Sequence, residues 1–186
     1  MEDGESDMLT AAKILDSAPR ESGVVLKNGK TVRVRPVVQT DKARIVDLLG
    51  KLSPDSIYRR FLRPVDTLPE EFLFQLTHFD DQKSYALAAV ICEAGKEALI
   101  AVARLCHDPL EETTDFAIVV RDDWQRCGLG EFMLRELFKA GRQRNLTILS
   151  SVIDSSNRGI KQVLRKTGCR VRYVHEKGAT KIDVFL

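Results

Sequence analysis

Three runs of apolar and β-branched residues lie close together in the middle of this chain of 186 residues. They span residues 84–92, 97–107 and 113–120 and are predicted strands. Turn-length segments connect them, with Gly95 in the first connection and Asp108-Pro109 in the second. Strands joined this closely pair in antiparallel orientation, because a parallel pair needs a crossover of about a dozen residues or more. The pattern therefore argues against a doubly wound parallel fold.

Helix and strand signals flank this group of strands. Asn28-Gly29 predicts the turn of a hairpin, and Ser53 before Pro54 is typical of a helix start. Thr40 is a second candidate cap, for a helix over 41–49. The other predicted elements are helices at 69–77, 129–144 and 157–167, and strands at 146–153, 169–175 and 180–185. This order indicates an α/β domain with a mixed sheet.

Composition and charge argue against several classes of protein. The formal net charge of +2 does not indicate a nucleic-acid-binding surface, and the apolar runs are too short to cross a membrane. The four cysteines and three histidines are scattered without metal-ligand spacing, so we expect no metal site. Residues 1–22 are acidic and show no signal pattern. We expect a flexible appendage there, a folded domain over 23–186 and a cytoplasmic location.

The segment after the third strand carries the strongest functional signal. A strand ends at Val120, a loop follows, and a helix opens near Leu129, with Gly128 and Gly130 at its start. The first amide groups of a helix lack internal acceptors and lie at the positive end of its dipole. Glycine lets an anion approach the backbone closely, and Arg126 adds a positive charge. These features suit a diphosphate, although an ordinary strand–turn–helix junction can have the same spacing.

Two motifs in this part of the chain resemble one known superfamily. Gln125-x-x-Gly128-x-Gly130 after a strand is similar to the pyrophosphate-binding signature of GNAT acetyltransferases. Asn157, followed by a helix that closes in Lys166-x-Gly168, resembles a second motif of that family. The resemblance implies the GNAT fold, an α/β domain whose mixed, mostly antiparallel central sheet of six to seven strands is flanked by helices and splayed around its central strands. Residues 52–61 and 115–125 further resemble bacterial Pat-type protein-lysine acetyltransferases.

The resemblance implies acetyl-coenzyme A (acetyl-CoA) as co-substrate, with no metal. The amides near Val119 and Val120 would hold the pantetheine arm and the thioester carbonyl. The helix start would wrap the pyrophosphate, and an asparagine would bond the pantetheine amides. The implied cofactor-binding residues are Ile118, Val119, Val120, Gln125, Arg126, Cys127, Gly128, Leu129, Gly130 and Asn157. Other roles stay open for several of them: sheet core for the valines, a solvated position for Arg126, inert packing for Cys127 and a helix cap for Asn157.

The implied reaction is acetyl transfer to a primary amine by direct attack in a ternary complex. Asp115 stands where Pat-type enzymes usually carry glutamate and is the expected general base, with Glu112 and then Glu111 in reserve. Leu164 replaces the tyrosine that many members use as general acid, so the use of an acid stays open. The residues expected on the acceptor side are Tyr58, Arg60 and Phe61.

The identity of the acceptor stays open at this point. A protein lysine is the first candidate and a small-molecule amine the second. A third interpretation is a domain that binds acyl-CoA as a sensor or regulatory unit without catalysis. The missing tyrosine and the aspartate in place of glutamate keep that interpretation open. The sequence is compatible with a monomer or a homodimer.

Overall fold

The computed structural model describes residues 22–65, 69–78 and 83–186. Apart from Ser22, the appendage predicted for residues 1–22 lies outside the described residues. Among the described helices, none is long and apolar enough to cross a membrane.

Eight strands form a single sheet in the described part of the chain. They are β1 (Ser22–Val25), β2 (Thr31–Pro36), β3 (Tyr85–Glu93), β4 (Lys96–Asp108), β5 (Thr113–Val120), β6 (Ile148–Asp154), β7 (Arg170–Glu176) and β8 (Ala179–Phe185). Their spatial order is β1-β2-β3-β4-β5-β6-β8-β7, and every neighbouring pair is antiparallel except β5 with β6. The predicted mixed, mostly antiparallel α/β sheet is confirmed. It has more strands than the expected six to seven because the β1–β2 hairpin continues the sheet beyond β3.

Helices cover both faces of this sheet. They are α1 (Lys42–Gly50), α2 (Pro54–Phe61), α3 (Glu70–Gln75), α4 (Leu129–Gln143) and α5 (Arg158–Thr167). The predicted start of α2 is confirmed, because the Ser53 hydroxyl accepts a hydrogen bond from the Ser56 amide and Pro54 occupies the first turn.

The predicted cap at Thr40 is wrong. Residues Gln39–Asp41 form a short 3₁₀ helix, and α1 begins after it, at Lys42, without a side-chain cap. The cause is Asp41, whose buried carboxylate accepts two hydrogen bonds from the Arg35 guanidinium and one from the Val38 amide. This ion pair buries the residue that follows the predicted cap. Its arginine comes from β2, so the local sequence around Thr40 does not reveal the pair.

The core has two parts, one on each face of the sheet. On one face α4 buries an apolar stripe against β5, and Phe116 meets Phe138 edge to face at 5.5 Å. The other face is covered by α1, whose Leu48 packs against the opposite side of β3 and β4. Strand alternation explains this division, because successive side chains of β5 point to opposite faces.

The sheet is splayed between β5 and β6, as the sequence resemblance implied. Their parallel pairing consists of one residue pair, Asp115 with Ser150. Beyond it β5 continues to Val120 without a neighbour on that side, while β4 pairs with its other edge along the whole strand. The divergence opens a gap in the middle of the sheet.

Candidate active site

A cleft of about 1090 Å³ occupies the gap between β5 and β6. The end of β5 and the start of α4 form one wall, β6 and the start of α5 form the other, and α2 lies over one end. A cleft of this size can hold an extended ligand.

The loop before α4 presents unpaired backbone donors to this cleft. The amides from Arg126 to Glu131 make no hydrogen bond to any residue that the structure describes. Gly128 has a φ of 93° and Arg126 a φ of 60°, a backbone conformation that turns the chain into the helix. A Cβ added at Gly128 would lie 3.4 Å from the Lys27 side chain, so glycine suits both the conformation and the close approach. The geometry is that of an anion-binding helix start.

Two interactions fix the position of this loop. Arg121, 7% exposed, donates two hydrogen bonds to Glu93 and two to Asp123. On the other side, the Lys27 amide donates to the Cys127 carbonyl over 3.0 Å. The loop is therefore held from β3 and from the β1–β2 hairpin before any ligand arrives.

Cys127 and Leu129 do not line the cleft. Cys127 is 6% exposed, its thiol points to the Trp124 carbonyl at 2.9 Å, and Leu129 is fully buried. Of the residues predicted in this loop, Gln125, Arg126, Gly128 and Gly130 face the cleft with at least some of their atoms. The structure thus favours the packing role that the sequence left open for Cys127.

Gln125 connects the loop to two neighbouring elements. Its side-chain amide donates to the Val120 carbonyl at 3.0 Å and to the Ser56 hydroxyl at 3.2 Å. Asp122 strengthens the same junction, since its carboxylate accepts from the Ser53 amide and from the Ser53 and Ser56 hydroxyls. The start of α2 is therefore attached directly to the loop.

The free edge of β5 supplies a second row of backbone groups. The Arg121 amide donates to the Ile100 carbonyl of β4. Backbone groups of successive strand residues point to opposite edges, so Val119 faces β4, whereas Ile118 and Val120 direct theirs into the cleft. All three residues line the cleft. Donors on such an edge can hold an extended amide chain or a carbonyl oxygen.

Asn157 lies on the opposite wall, at the start of α5. Its side-chain oxygen accepts from the Ile160 amide over 3.2 Å, so it caps the helix. Its side-chain nitrogen has no partner among the described residues, and the residue lines the cleft. The cap and a ligand contact are compatible, because they use different atoms.

The two predicted acids have different surroundings. Asp115 lines the cleft and is exposed there; partial burial of its carboxyl raises the pKa, while Lys181 and Arg104 act in the opposite direction. Glu112 lies outside the cleft lining, and its carboxylate accepts from the Lys83 ammonium at 3.0 Å. This hydrogen bond lowers the pKa of Glu112. The geometry favours Asp115 as proton acceptor.

The three residues expected on the acceptor side do not lie together. Arg60 lines the cleft, whereas Phe61 packs against the part of the core that α1 covers, and Tyr58 is exposed outside the cleft lining. Tyr58 and Arg60 are two positions apart in α2 and therefore point to different sides of the helix, so only one of them faces the gap.

Several residues that line the cleft were not predicted from the sequence. Arg104 and Cys106 of β4 lie opposite Ala117 and Asp115, and Lys27 of the first hairpin touches Gly128. Arg104 had a usable signal, because it is the only charged residue between Ala98 and Cys106 in an otherwise apolar strand. Lys27 had none, since its position depends on how the hairpin meets α4.

Comparisons with known proteins agree with this geometry. A family model described as acetyltransferase (GNAT) domain matches residues 31–170. An acetyltransferase of Pseudomonas aeruginosa is 28% identical over 138 residues, 74% of either chain. Acetyltransferase Pat of Mycolicibacterium smegmatis is 24% identical over 148 residues, which are 78% of this chain and 43% of Pat.

Solved structures show the same architecture. The GNAT domain of S. lividans PAT is 26% identical, with a TM-score of 0.78 over 89% of this chain and 97% of that domain. A cAMP-binding acyltransferase from Mycobacterium smegmatis is 22% identical, with a TM-score of 0.58 over 98% of this chain and 53% of the other. The second likeness concerns the fold alone.

Proposed function

Because the chain belongs to the GNAT acetyltransferase family, we propose that it transfers the acetyl group of acetyl-CoA to a primary amine bound in the same complex. Acetyl-CoA supplies the activated acyl group as a thioester. The chain supplies the binding surface, the hydrogen-bond donors and the proton acceptor.

The observation that carries this proposal is the row of amides from Arg126 to Glu131, which have no acceptor among the described residues. Four of these amides, at Arg126, Gly128, Gly130 and Glu131, belong to residues that line the cleft. Such donors at the positive end of α4 match a diphosphate, which offers several anionic oxygens. Lys27 and Arg126 line the same end of the cleft and add positive charge. We assign this end to the pyrophosphate of CoA.

The middle of the cleft fits the pantetheine arm and the thioester. The backbone groups of Ile118 and Val120 face this space, and the Asn157 side-chain nitrogen approaches it from the opposite wall. An amide donor at Val120 stabilises negative charge that develops on the thioester oxygen, and the loss of one such donor typically costs about 3 kcal/mol. Val119 contributes its side chain to the wall, since its amide faces β4.

Asp115 is the proposed proton acceptor. An amine must lose a proton to attack, and a lysine ammonium has a pKa of about 10.4. Asp115 lies on the same strand as the thioester donors and has a raised pKa, which makes it a stronger base than an ordinary aspartate. A water molecule between Asp115 and the amine compensates for a side chain one methylene shorter than glutamate.

The acceptor is a primary amine, and we propose a protein lysine as the first candidate. The likeness to the GNAT domain of S. lividans PAT supports this choice. A small-molecule amine is the second candidate, because the cleft itself does not distinguish a lysine side chain from another short amine.

The proposal is tested with Gly128→Glu. The new carboxylate lies among the free amides of α4, so we expect the Kd of CoA to rise by at least about 100-fold. Gly95→Glu is the matched control. Gly95 has a φ of 76°, open space around it and no place in the cleft lining, so it imposes similar backbone strain without blocking the site.

Calorimetry with CoA and release of free thiol from acetyl-CoA with a panel of lysine peptides, polyamines and amino acids provide the two readouts. Binding that survives Gly128→Glu would contradict the assigned pyrophosphate site. CoA binding without thiol release for any acceptor would contradict the proposed transfer.

A further inference from the structure

Two arginines meet at the end of the cleft beside the proposed base. Arg104 comes from the middle of β4, opposite Ala117, and Arg60 comes from α2. Both line the cleft together with Asp115. Arg104 is only 8% exposed, so its guanidinium is largely withdrawn from water.

Neither arginine is paired with a carboxylate. Among the described residues, Arg60 and Arg104 have no hydrogen bond and no carboxylate within 4.0 Å. Arg60 stacks over the Phe61 ring at 5.0 Å, and the Nη1 atom of Arg104 is buried without any partner. Burial and the positive charge of Arg104 lower the pKa of Arg60 to about 10. A buried guanidinium without a partner is costly, and a second positive charge beside it adds to that cost.

Two other largely buried arginines behave differently. Arg35 donates to both Asp41 and Glu97, and Arg121 donates to both Glu93 and Asp123. Carboxylates therefore compensate the charge of these two arginines, which hold elements together. The pair at the cleft lacks this compensation and faces the space where substrates meet.

The side chains around the two arginines do not supply a carboxylate partner, so a ligand can supply it. Behind the two arginines lies an apolar wall that includes Leu48, Phe61 and Val102, which offer no acceptor side chain. Asp115 is close enough for Arg104 to affect its pKa but forms no ion pair with it. An anion that enters the cleft can accept hydrogen bonds from both guanidinium groups, whose planar forks match a carboxylate.

We propose that Arg60 and Arg104 form a binding site for a carboxylate of one of the two substrates, next to the acyl-transfer centre. This inference rests on the proposed acetyl-transfer function and narrows its substrate class. Arg104 lies directly across from Ala117 on β5, so the carboxylate is held beside the strand that binds the thioester. A site in this position suits the distal carboxylate of a dicarboxylic acyl-CoA, or a carboxylate close to the reacting amine of the acceptor.

Calorimetry on the full chain distinguishes these two sources. In the donor arm, succinyl-CoA is compared with acetyl-CoA. In the acceptor arm, protein saturated with CoA is titrated with acceptor compounds. The affinity for each amino acid is compared with that for its α-amide. The affinity for a lysine peptide with aspartate beside the lysine is compared with that for the same peptide with asparagine there. The variants are Arg104→Gln and Arg60→Gln, and Arg63→Gln is the matched control, because Arg63 is exposed and outside the cleft lining.

We expect wild-type protein to prefer the carboxylate-bearing compound by about tenfold or more in one of the arms. Both Arg104→Gln and Arg60→Gln should reduce this preference to about twofold, whereas Arg63→Gln should keep it. No preference in either arm, or a preference that survives both variants, overturns the inference. Titration with CoA alone distinguishes failure of the proposed function from failure of the arginine site. If CoA does not bind wild-type protein, the proposed function is contradicted. If CoA binds but no carboxylate preference is found, only the arginine site is contradicted.

Discussion

Asp115 and Glu112 carry the same functional group three residues apart, yet the fold gives them different chemistry. The Lys83 ammonium lowers the pKa of Glu112 and weakens it as a base. Limited hydration in the cleft raises the pKa of Asp115. A general base is most effective when its pKa approaches the working pH, so the environment separates two residues that sequence alone left as alternatives.

Asp115→Asn should therefore lower turnover by about 100-fold or more while CoA affinity stays within about twofold. Because the pKa of Asp115 is raised, the wild-type rate should be lost as the pH falls through that raised pKa. The asparagine variant should lack this dependence and keep only the rise with pH that comes from deprotonation of the amine. Steady-state rates over a pH series, with CoA binding by calorimetry, check both parts.

Glu112→Gln is the control for this prediction, since it removes a nearby acid that lies outside the cleft lining. Full activity of Asp115→Asn, or equal losses in both variants, would show that the base is elsewhere.

Of the predicted site residues, the structure brings to the cleft chiefly those that are contiguous in the chain. Gln125, Gly128 and Gly130 belong to one short motif, and the structure places all three in the cleft lining. Arg104 was missed, although its place in an apolar strand marks it as a buried charge. The absence of a carboxylate partner depends on which side chains β4, β5 and α2 bring together, and no local pattern contains this second piece of information.

At the scale of elements, strands with strong hydrophobic patterns were predicted accurately and local caps less so. The bounds of β5 agree with the predicted 113–120. Its apolar residues, its turn and the loop before α4 all specify the same limits. The start of α1 was missed because the ion pair between Arg35 and Asp41 overrides the local preference of Thr40.

The junction between α2 and the loop before α4 is the element-level feature with a consequence for the proposed function. Burial opposes the ionisation of Asp122, but hydrogen bonds from Ser53 and Ser56 outweigh it and hold the pKa of Asp122 below its usual value. Asp122 thus stays ionised and attaches the helix that carries Arg60 to the loop that carries the free amides. The proposed acceptor side and the proposed CoA side of the cleft thus share one support.

Asp122→Ala should weaken both sides together. We expect the free energy of unfolding to fall by about 1–3 kcal/mol, because several hydrogen bonds to a charged group are lost. The Kd of CoA and the KM of the acceptor should both rise severalfold. Urea denaturation, calorimetry and steady-state kinetics measure these three quantities.

Asp47→Ala is the control for Asp122→Ala. Asp47 is an exposed aspartate of α1 that pairs with Lys51, and its loss should change stability by less than about 1 kcal/mol. An Asp122 variant that loses CoA affinity but keeps the acceptor KM would contradict the shared support.

At the scale of the whole molecule, the sheet consists of two parts with a weak backbone connection. Strands β1 to β5 form one part and β6 to β8 the other, and a single residue pair, Asp115 with Ser150, joins them. Packing between α4 and α5 completes the junction, with Leu164 fully buried there. A ligand that contacts both walls of the cleft therefore connects the two parts and should stabilise the molecule as a unit.

This arrangement predicts where and how much CoA stabilises the chain. At about 100 times its Kd, CoA should add about 2.7 kcal/mol to the free energy of unfolding and raise the Tm by about 5–10 °C. Hydrogen exchange should slow most at the amides from Arg126 to Glu131 and at Ile118 and Val120, which have no acceptor among the described residues. The Arg121 amide, already bonded to Ile100, is the internal reference. To join the two walls, CoA must occupy the free backbone donors of the loop and of the β5 edge. A higher Tm without slower exchange at those amides would therefore mean that CoA binds elsewhere on the protein.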